Sequence, residues 1–208
     1  MYKAPELRYE AQGGFSVLSE IVGLKEEPTQ YLKEKTGDSI RNLCRLNYYD
    51  LIMIKGIGPV MATKILKAVE FSKRVQMDRN FGIKQVKSSH DGYSIFQPIM
   101  GDLPHEEFWM LILDRSNKIM CTHRVSIGGV AGTVADVKMI FKAAIDRLAS
   151  AIIIAHNHPS GSLRPSNADK ALTKKAYQAG KVMDISVLDH LIITDSGYFS
   201  FADEGMLG

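Results

Sequence analysis

Three residues in the second half of the chain have the side chains of an open zinc site. His156 and His158 stand in the segment His-Asn-His-Pro, and Asp169 follows His158 after eleven residues. Alternate residues of a strand project to the same face, so the two imidazoles would lie side by side. Two imidazoles and one carboxylate give zinc three protein ligands and leave the fourth position to water, as in catalytic zinc sites.

Structural interpretations compete with metal binding. A His-x-His pair alone is a weak signal, although here it follows the apolar run 151–155, where a buried strand would exit into a loop. Asp169 also completes the pattern Ser-x-x-Asp, in which Ser166 would cap a helix and the carboxylate would lie at the helix N-terminus. The two roles of Asp169 are compatible, because a position in the first helical turn would fix the direction of its carboxylate.

A hydrolytic zinc site also needs a proton acceptor. A carboxylate suffices, because zinc lowers the pKa of its bound water to about 7. Glu106 and Glu107 precede the apolar run 108–113. If that run forms a strand beside 152–155, one of the two carboxylates could reach the water. The spacing does not choose between them, and an exposed carboxylate pair at a strand start is the structural alternative.

The elements that would position these residues are a mixture of helices and strands. Before residue 77 the pattern predicts only helices, at 15–22, 38–46 and 59–76. Asp38 would be an N-cap, and Pro59 would take a first helical position. Residues 77–82 are expected to form a linker. Beyond it the pattern predicts helices at 88–101, 136–148 and 166–180, a flexible loop at 128–132, and strands at 107–113, 118–127, 152–155, 185–194 and 198–201. This is an α/β (α+β) fold with a mixed sheet between helices.

The metal-site residues resemble the JAMM signature of MPN-domain metalloproteins, and the closer likeness is to the RadC family of bacterial proteins. The likeness covers residues from about 83 to 208. It is carried by the segment 106–114, His156-Asn157-His158-Pro159-Ser160-Gly161, Pro165-Ser166 and Asp189-His190. It implies a cytidine-deaminase-like architecture and one zinc ion per chain, bound by His156, His158 and Asp169.

The resemblance also implies catalytic roles. The family's catalytic glutamate stands eight residues before an aspartate, and counting back from Asp114 selects Glu106 over Glu107. Ser166 matches the serine that stabilises the tetrahedral oxyanion. JAMM enzymes hydrolyse amide or isopeptide bonds, so the implied substrate is a peptide or protein of unknown identity. His190 is expected to be a structural hydrogen-bonding group rather than a metal ligand.

Residues 1–80 resemble the helix-hairpin-helix region that precedes the metal-binding domain, 83–208, in RadC proteins. Gly56 and Gly58 would let backbone N–H groups approach a phosphate at a helix N-terminus, and Lys55 and Lys64 would add sequence-independent attraction. The alternative is a small helical docking module whose glycines only form a turn. Glutamates among the first 30 residues would repel a phosphate backbone.

The composition excludes several classes. A length of 208 residues fits one domain with an appendage or two small domains, and a net charge of +3 permits nucleic-acid contact without arguing for it. Cys44 and Cys121 have no ligand spacing and suit a reducing compartment. No apolar run approaches the roughly 20 residues of a membrane helix. We expect a cytoplasmic protein without a membrane partner; the oligomeric state stays open.

Two functions follow from these patterns. One is a zinc-dependent metallopeptidase-like hydrolase. The other is a DNA-binding accessory protein of repair or recombination, in which the MPN domain is a non-catalytic scaffold. A metal-dependent nuclease is less favoured, because many nucleases use two metal ions.

Overall fold

A computed structural model describes residues 13–80, 83–128 and 135–208. The chain divides into two compact units, one ending at Ser72 and the other beginning at Lys73. Across the described ranges, no helix combines the length and the apolar character needed to cross a membrane.

The first unit is helical, as the sequence predicts. Its core is made of apolar side chains from every helix, and Leu32, Leu51 and Ile65 are completely buried. The helices are α1 (Gly14–Val22), α2 (Glu26–Thr36), α3 (Ile40–Leu43), α4 (Tyr48–Ile52) and α5 (Pro59–Asn80), which continues beyond the unit. Pro59 begins α5, where its missing N–H removes no helical hydrogen bond.

Four details between residues 13 and 80 differ from the prediction, and one of them is that α4 is not among the predicted helices. The sequence pattern also does not predict α2, because this helix is rich in charge and buries only Leu32 and Thr36. The helix predicted at 38–46 is shorter, and its cap is Ser39, because Asp38 has a left-handed φ of 56°. Residues 77–80 continue α5 instead of forming a linker, and 81–82 lie outside the described residues.

The second unit contains a five-stranded mixed sheet in the order β2-β1-β3-β4-β5. Only β3 and β4 are parallel; the other neighbours are antiparallel. The strands are β1 (Glu107–Leu113), β2 (Ile119–Ile127), β3 (Ala151–Asn157), β4 (Ser186–Ile193) and β5 (Tyr198–Ser200), and the helices are α6 (Ser89–Met100), α7 (Val137–Ile145) and α8 (Asn167–Val182).

Helices cover both faces of this sheet, which confirms the predicted fold class. On one face, Ile152 and Ile154 of β3 pack in a cluster with Phe141 of α7. On the other face, Ile153 packs in a cluster with Phe96 of α6. This alternation along β3 places the next even-numbered residue, His156, on the side of α7 and α8.

Helix ends in this unit also differ from the prediction. Helix α7 ends at Ile145, and Leu148 is exposed with a left-handed φ of 52°. Helix α8 continues past Gly180 to Val182, so Gly180 does not end it. A Cβ at Gly180 would collide with the carbonyl oxygen of Ile185, and close packing therefore explains this glycine. Most of the predicted loop at 128–132 lies outside the described residues.

Candidate metal centre

The two imidazoles lie where the central strand of the sheet ends. His156 is the penultimate residue of β3, with Phe108 of β1 and Ile192 of β4 as its neighbours across the sheet. His158 follows the end of β3, and its backbone N–H donates to the Ile193 carbonyl at 2.9 Å. The strand therefore extends further than the predicted 152–155, and backbone hydrogen bonds hold both histidines at the carboxyl end of β3.

Helix α8 supplies the carboxylate of Asp169 from its first turn. The Ser166 hydroxyl accepts from the Asp169 N–H at 3.1 Å, and Asp169 Oδ2 accepts from the Ser166 N–H at 2.7 Å. This is the predicted capping box. The second oxygen, Oδ1, lies 3.2 Å from His156 Nε2. Capping therefore fixes the direction of the carboxylate that meets the histidines.

One ligand atom from each of the three residues, all within 4.8 Å of one another, gives a triangle that could hold a metal ion. His156 Nε2 lies 3.0 Å from His158 Nε2 and 3.2 Å from Asp169 Oδ1, whereas the other oxygen of Asp169, Oδ2, lies 3.7 Å from His158 Nε2. A tetrahedral zinc ion with bonds of about 2.0–2.1 Å holds its ligand atoms about 3.3–3.4 Å apart. Among the His, Cys, Asp and Glu residues that the structure describes, these three form the group close enough together to hold a metal ion.

The charges of the site depend on one another. A hydrogen bond with Asp169 raises the pKa of His158 above its ordinary value, although burial lowers it. Burial alone would raise the pKa of Asp169, but the neighbouring imidazoles of His156 and His158 outweigh that effect and hold the pKa well below its usual range. Asp169 is therefore a carboxylate anion at neutral pH, as a metal ligand must be.

Glu106 lies directly before β1, on the histidine side of the sheet. Phe108 and His156 are cross-strand neighbours with nearly parallel rings, 5.9 Å between centroids. Since alternate residues share a face, Glu106 follows Phe108 to that side. Its negative charge also contributes to the raised pKa of His158. Glu106 is therefore near enough to His158 to act on it electrostatically, and its role as the proton acceptor stays a prediction.

Glu107 has different surroundings and is buried. Its carboxylate accepts from Trp109 Nε1 at 2.7 Å and lies 3.1 Å from His105 Nε2 and 3.5 Å from Arg124 Nη1. These partners satisfy the carboxylate within its own cluster. The structure therefore separates two adjacent glutamates that spacing alone does not distinguish.

Residues 86–206 match the RadC-like JAB domain family. The chain belongs to this family. Among its relatives, the UPF0758 protein of Flavobacterium johnsoniae is 43% identical over 187 residues, which cover 88% of this chain and 82% of that protein. The UPF0758 protein of Porphyromonas gingivalis is 41% identical over 86% of this chain and 79% of its own length. A third, from Methanococcoides burtonii, is 34% identical over 81% of this chain and 74% of its own length.

Membership confirms the predicted RadC resemblance and links the chain, at a general level, to JAMM-type metallohydrolases. The family also often binds zinc, for which the His156, His158 and Asp169 cluster has the appropriate donor set. The individual roles of those residues stay predictions.

Ser166 is exposed at the start of α8, next to the cluster in sequence and in space. Its hydroxyl oxygen accepts the Asp169 N–H, so its own proton can be donated to another acceptor. This position is compatible with the predicted contact to an oxyanion.

Asn157, which stands between the two histidines, has a structural role at the site that the sequence patterns do not predict. Its side chain accepts from the Glu107 N–H at 2.7 Å and donates to the His105 carbonyl at 2.9 Å. The amide therefore ties the backbone around Glu106 to the end of β3. Its place inside the His-x-His pair is a usable signal, because a residue there projects to the other face of the strand.

The four residues predicted to contact DNA lie in the helical unit. Lys55 Nζ is 3.0 Å from Glu27 Oε1 and 3.3 Å from the Tyr31 hydroxyl. Gly56 has a left-handed φ of 82°, and a Cβ there would lie 2.6 Å from Pro28 Cγ. Gly58 is exposed and its carbonyl accepts the Ala62 N–H, whereas Lys64 is exposed on α5. The turn thus has a structural need for Gly56, and DNA contact stays a prediction.

Proposed function

We propose that this chain is a zinc-dependent hydrolase of JAMM type that cleaves an amide or isopeptide bond in a peptide or protein. The main support is the triangle of ligand atoms contributed by His156, His158 and Asp169, in which His156 Nε2 lies 3.0 Å from His158 Nε2 and 3.2 Å from Asp169 Oδ1. Two imidazole lone pairs at 3.0 Å repel unless a proton or a metal ion lies between them. The carboxylate of Asp169 completes the set, and two imidazoles with one carboxylate are donors that zinc prefers.

The residues around the triangle would divide the chemistry among them. Bound zinc supplies a polarised water with a lowered pKa. The Glu106 carboxylate accepts a proton from the attacking water and transfers it to the nitrogen of the leaving amine. The Ser166 hydroxyl donates a hydrogen bond to the oxyanion that forms on the substrate carbonyl. Asn157 keeps the backbone next to Glu106 in register with β3.

Metal content and hydrolysis test the proposal together. Protein purified without chelators should contain about one zinc ion per chain, and His158→Ala should lose it, because two ligands bind zinc far more weakly than three. His123→Ala is a matched control, since His123 lies on β2 outside the cluster. Zinc-loaded wild-type protein should hydrolyse members of a broad peptide and isopeptide library. A wild-type protein that neither contains nor takes up zinc contradicts the proposal.

A further inference from the structure

Two polar side chains behind the proposed metal ligands are completely buried. His190 lies on β4 and Thr173 on α8, one helical turn after Asp169, and both have an exposed fraction of 0%. Buried polar groups are costly unless they are hydrogen-bonded. Both are: His190 Nε2 lies 2.9 Å from His156 Nδ1, and His190 Nδ1 lies 2.6 Å from Thr173 Oγ1.

The backbone carbonyl of Asp169 determines which atom donates and which accepts in each of these hydrogen bonds. Thr173 Oγ1 lies 2.6 Å from the backbone carbonyl of Asp169, which can only accept. The hydroxyl has one proton and donates it there, so it accepts from His190 Nδ1. Neither ring nitrogen of His190 contacts a carboxylate among the described residues, and a fully buried ring without such a partner is neutral. Its Nε2 is then an acceptor, and His156 Nδ1 donates to it.

The ring orientations are fixed by aromatic neighbours. Phe108 lies against His156 with 7° between the ring planes, and Phe201 stacks on His190 with 8° between planes and 4.8 Å between centroids. Stacked aromatic rings favour such offset contacts and resist rotation. The donor and acceptor positions of both imidazoles are therefore set by packing.

The nearby carboxylate pulls the proton of His156 in the opposite direction. Asp169 Oδ1 lies 3.2 Å from His156 Nε2, and in the metal-free protein it would favour a proton on that nitrogen. A proton on Nε2 would occupy the lone pair that a metal needs. The tautomer suited to metal binding must therefore be imposed from the other side of the ring.

We propose that Thr173 and His190 are positioning residues that hold His156 in the Nδ1–H tautomer, so that its Nε2 lone pair faces the metal. This inference rests on the proposed zinc site. The relay runs from His156 through His190 and Thr173 to the backbone of Asp169, so it also ties one proposed ligand to another. His158 is set separately, since its Nδ1 donates to the Ser162 carbonyl at 2.7 Å.

Two substitutions at Thr173 separate the hydroxyl from the shape of the side chain. Thr173→Val keeps the volume and removes the hydroxyl, whereas Thr173→Ser keeps the hydroxyl. Without the hydroxyl, His190 can place its proton on Nε2 and donate to His156 Nδ1, which moves the His156 proton to Nε2. Outer-shell partners of metal-binding histidines typically change metal affinity by about 10–100-fold. Thr173→Val should weaken zinc binding by that factor, and Thr173→Ser should stay close to wild type.

The experiment has two measurements on the full chain at mildly alkaline pH. Zinc affinity is measured by competition with a chromogenic chelator. The tautomer is read in the metal-free protein from ring ¹⁵N signals of labelled histidine, which differ between protonated and unprotonated nitrogens. Wild type and Thr173→Ser should show His156 protonated on Nδ1, and Thr173→Val should show the proton on Nε2. A thermal melt of each metal-free variant verifies that it is folded.

Several results would overturn the relay. One is a proton on Nε2 of His156 in metal-free wild type, a measurement that needs no variant. Another is a Thr173→Val protein with unchanged zinc affinity, or with weaker affinity but unchanged ring signals. If wild type binds no zinc, the proposed function fails, while the ring signals of the metal-free proteins still decide whether the relay sets the tautomer.

Discussion

The cluster at the end of β3 and the glycine turn before α5 both have residue types suited to a ligand, but they differ in how their polar groups are held. At the cluster, the side chains of His156, His158 and Asp169 are only 6%, 12% and 15% exposed. Their atoms outside the triangle are hydrogen-bonded to other parts of the unit. At the turn, Lys55 and Glu27 are 74% and 67% exposed and pair with each other.

This difference shows that a buried polar cluster is stronger evidence for a functional site than an exposed ion pair. Burying two imidazoles and a carboxylate opposes folding unless their partners are in place, so such a cluster is costly to maintain without a use. An exposed ion pair costs little and contributes little. The metal site is therefore the stronger functional hypothesis. A structural role in the fold explains the glycine turn as well as a phosphate contact does.

The largest expected effect separates two adjacent glutamates. Glu106→Gln should lower hydrolysis by about 10²–10⁴-fold, the usual contribution of a general base, while zinc content stays unchanged. Glu107→Gln is the matched control: it should keep most of the activity but lose about 1–3 kcal/mol in the free energy of unfolding, because its buried carboxylate has three partners. The measurements are peptide hydrolysis, metal analysis and denaturant unfolding. Equal loss of activity in both variants would contradict the assignment.

Much of the fold and of the site is readable from the sequence because strand and helix periodicities are strong here. The run 152–155 and the Ser-x-x-Asp pattern predict both elements that hold the triangle. Helix α2 is not predictable in this way, since it buries too few apolar residues to show a period. Contacts between distant segments, such as His190 with Thr173, depend on how β4 packs against α8, and local patterns do not contain that information.

The second effect concerns pH and belongs to the cluster alone. Asp169 raises the pKa of His158, so a proton stays on this imidazole to a higher pH than on an isolated histidine. Protons and zinc compete for the same nitrogen. Zinc affinity should therefore fall as the pH falls through the raised pKa, by about tenfold per pH unit for each proton released. Chelator competition across a pH series measures it. Flat affinity between pH values on either side of that pKa would show that His158 is not a ligand.

A third effect tests whether the turn is built for its fold or for phosphate. Gly56→Ala places a Cβ against Pro28 at a left-handed φ, and it should destabilise the helical unit by about 1–3 kcal/mol. Gly58→Ala meets no atom within 4 Å and has no left-handed φ, so it should change stability far less. Hydrogen exchange in α2 and α4 reports on the unit directly. If both variants keep their protection but weaken binding to duplex DNA alike, the turn is a phosphate site instead.

The smallest expected effect is the change in DNA affinity when lysines of the same unit are replaced. Lys55 donates to Glu27 and Tyr31, so its charge is already matched, whereas Lys64 is exposed on α5. We expect Lys55→Met and Lys64→Met to change the affinity for duplex DNA only slightly at physiological salt. A lysine that contacts a phosphate would, when removed, lower the slope of log affinity against log salt by about one. Salt titrations of wild type, both single variants and Glu27→Gln measure this slope. If Glu27→Gln strengthens DNA binding and Lys55→Met abolishes that gain, the ion pair masks a phosphate contact, and the protein has a second functional region in addition to the metal cluster.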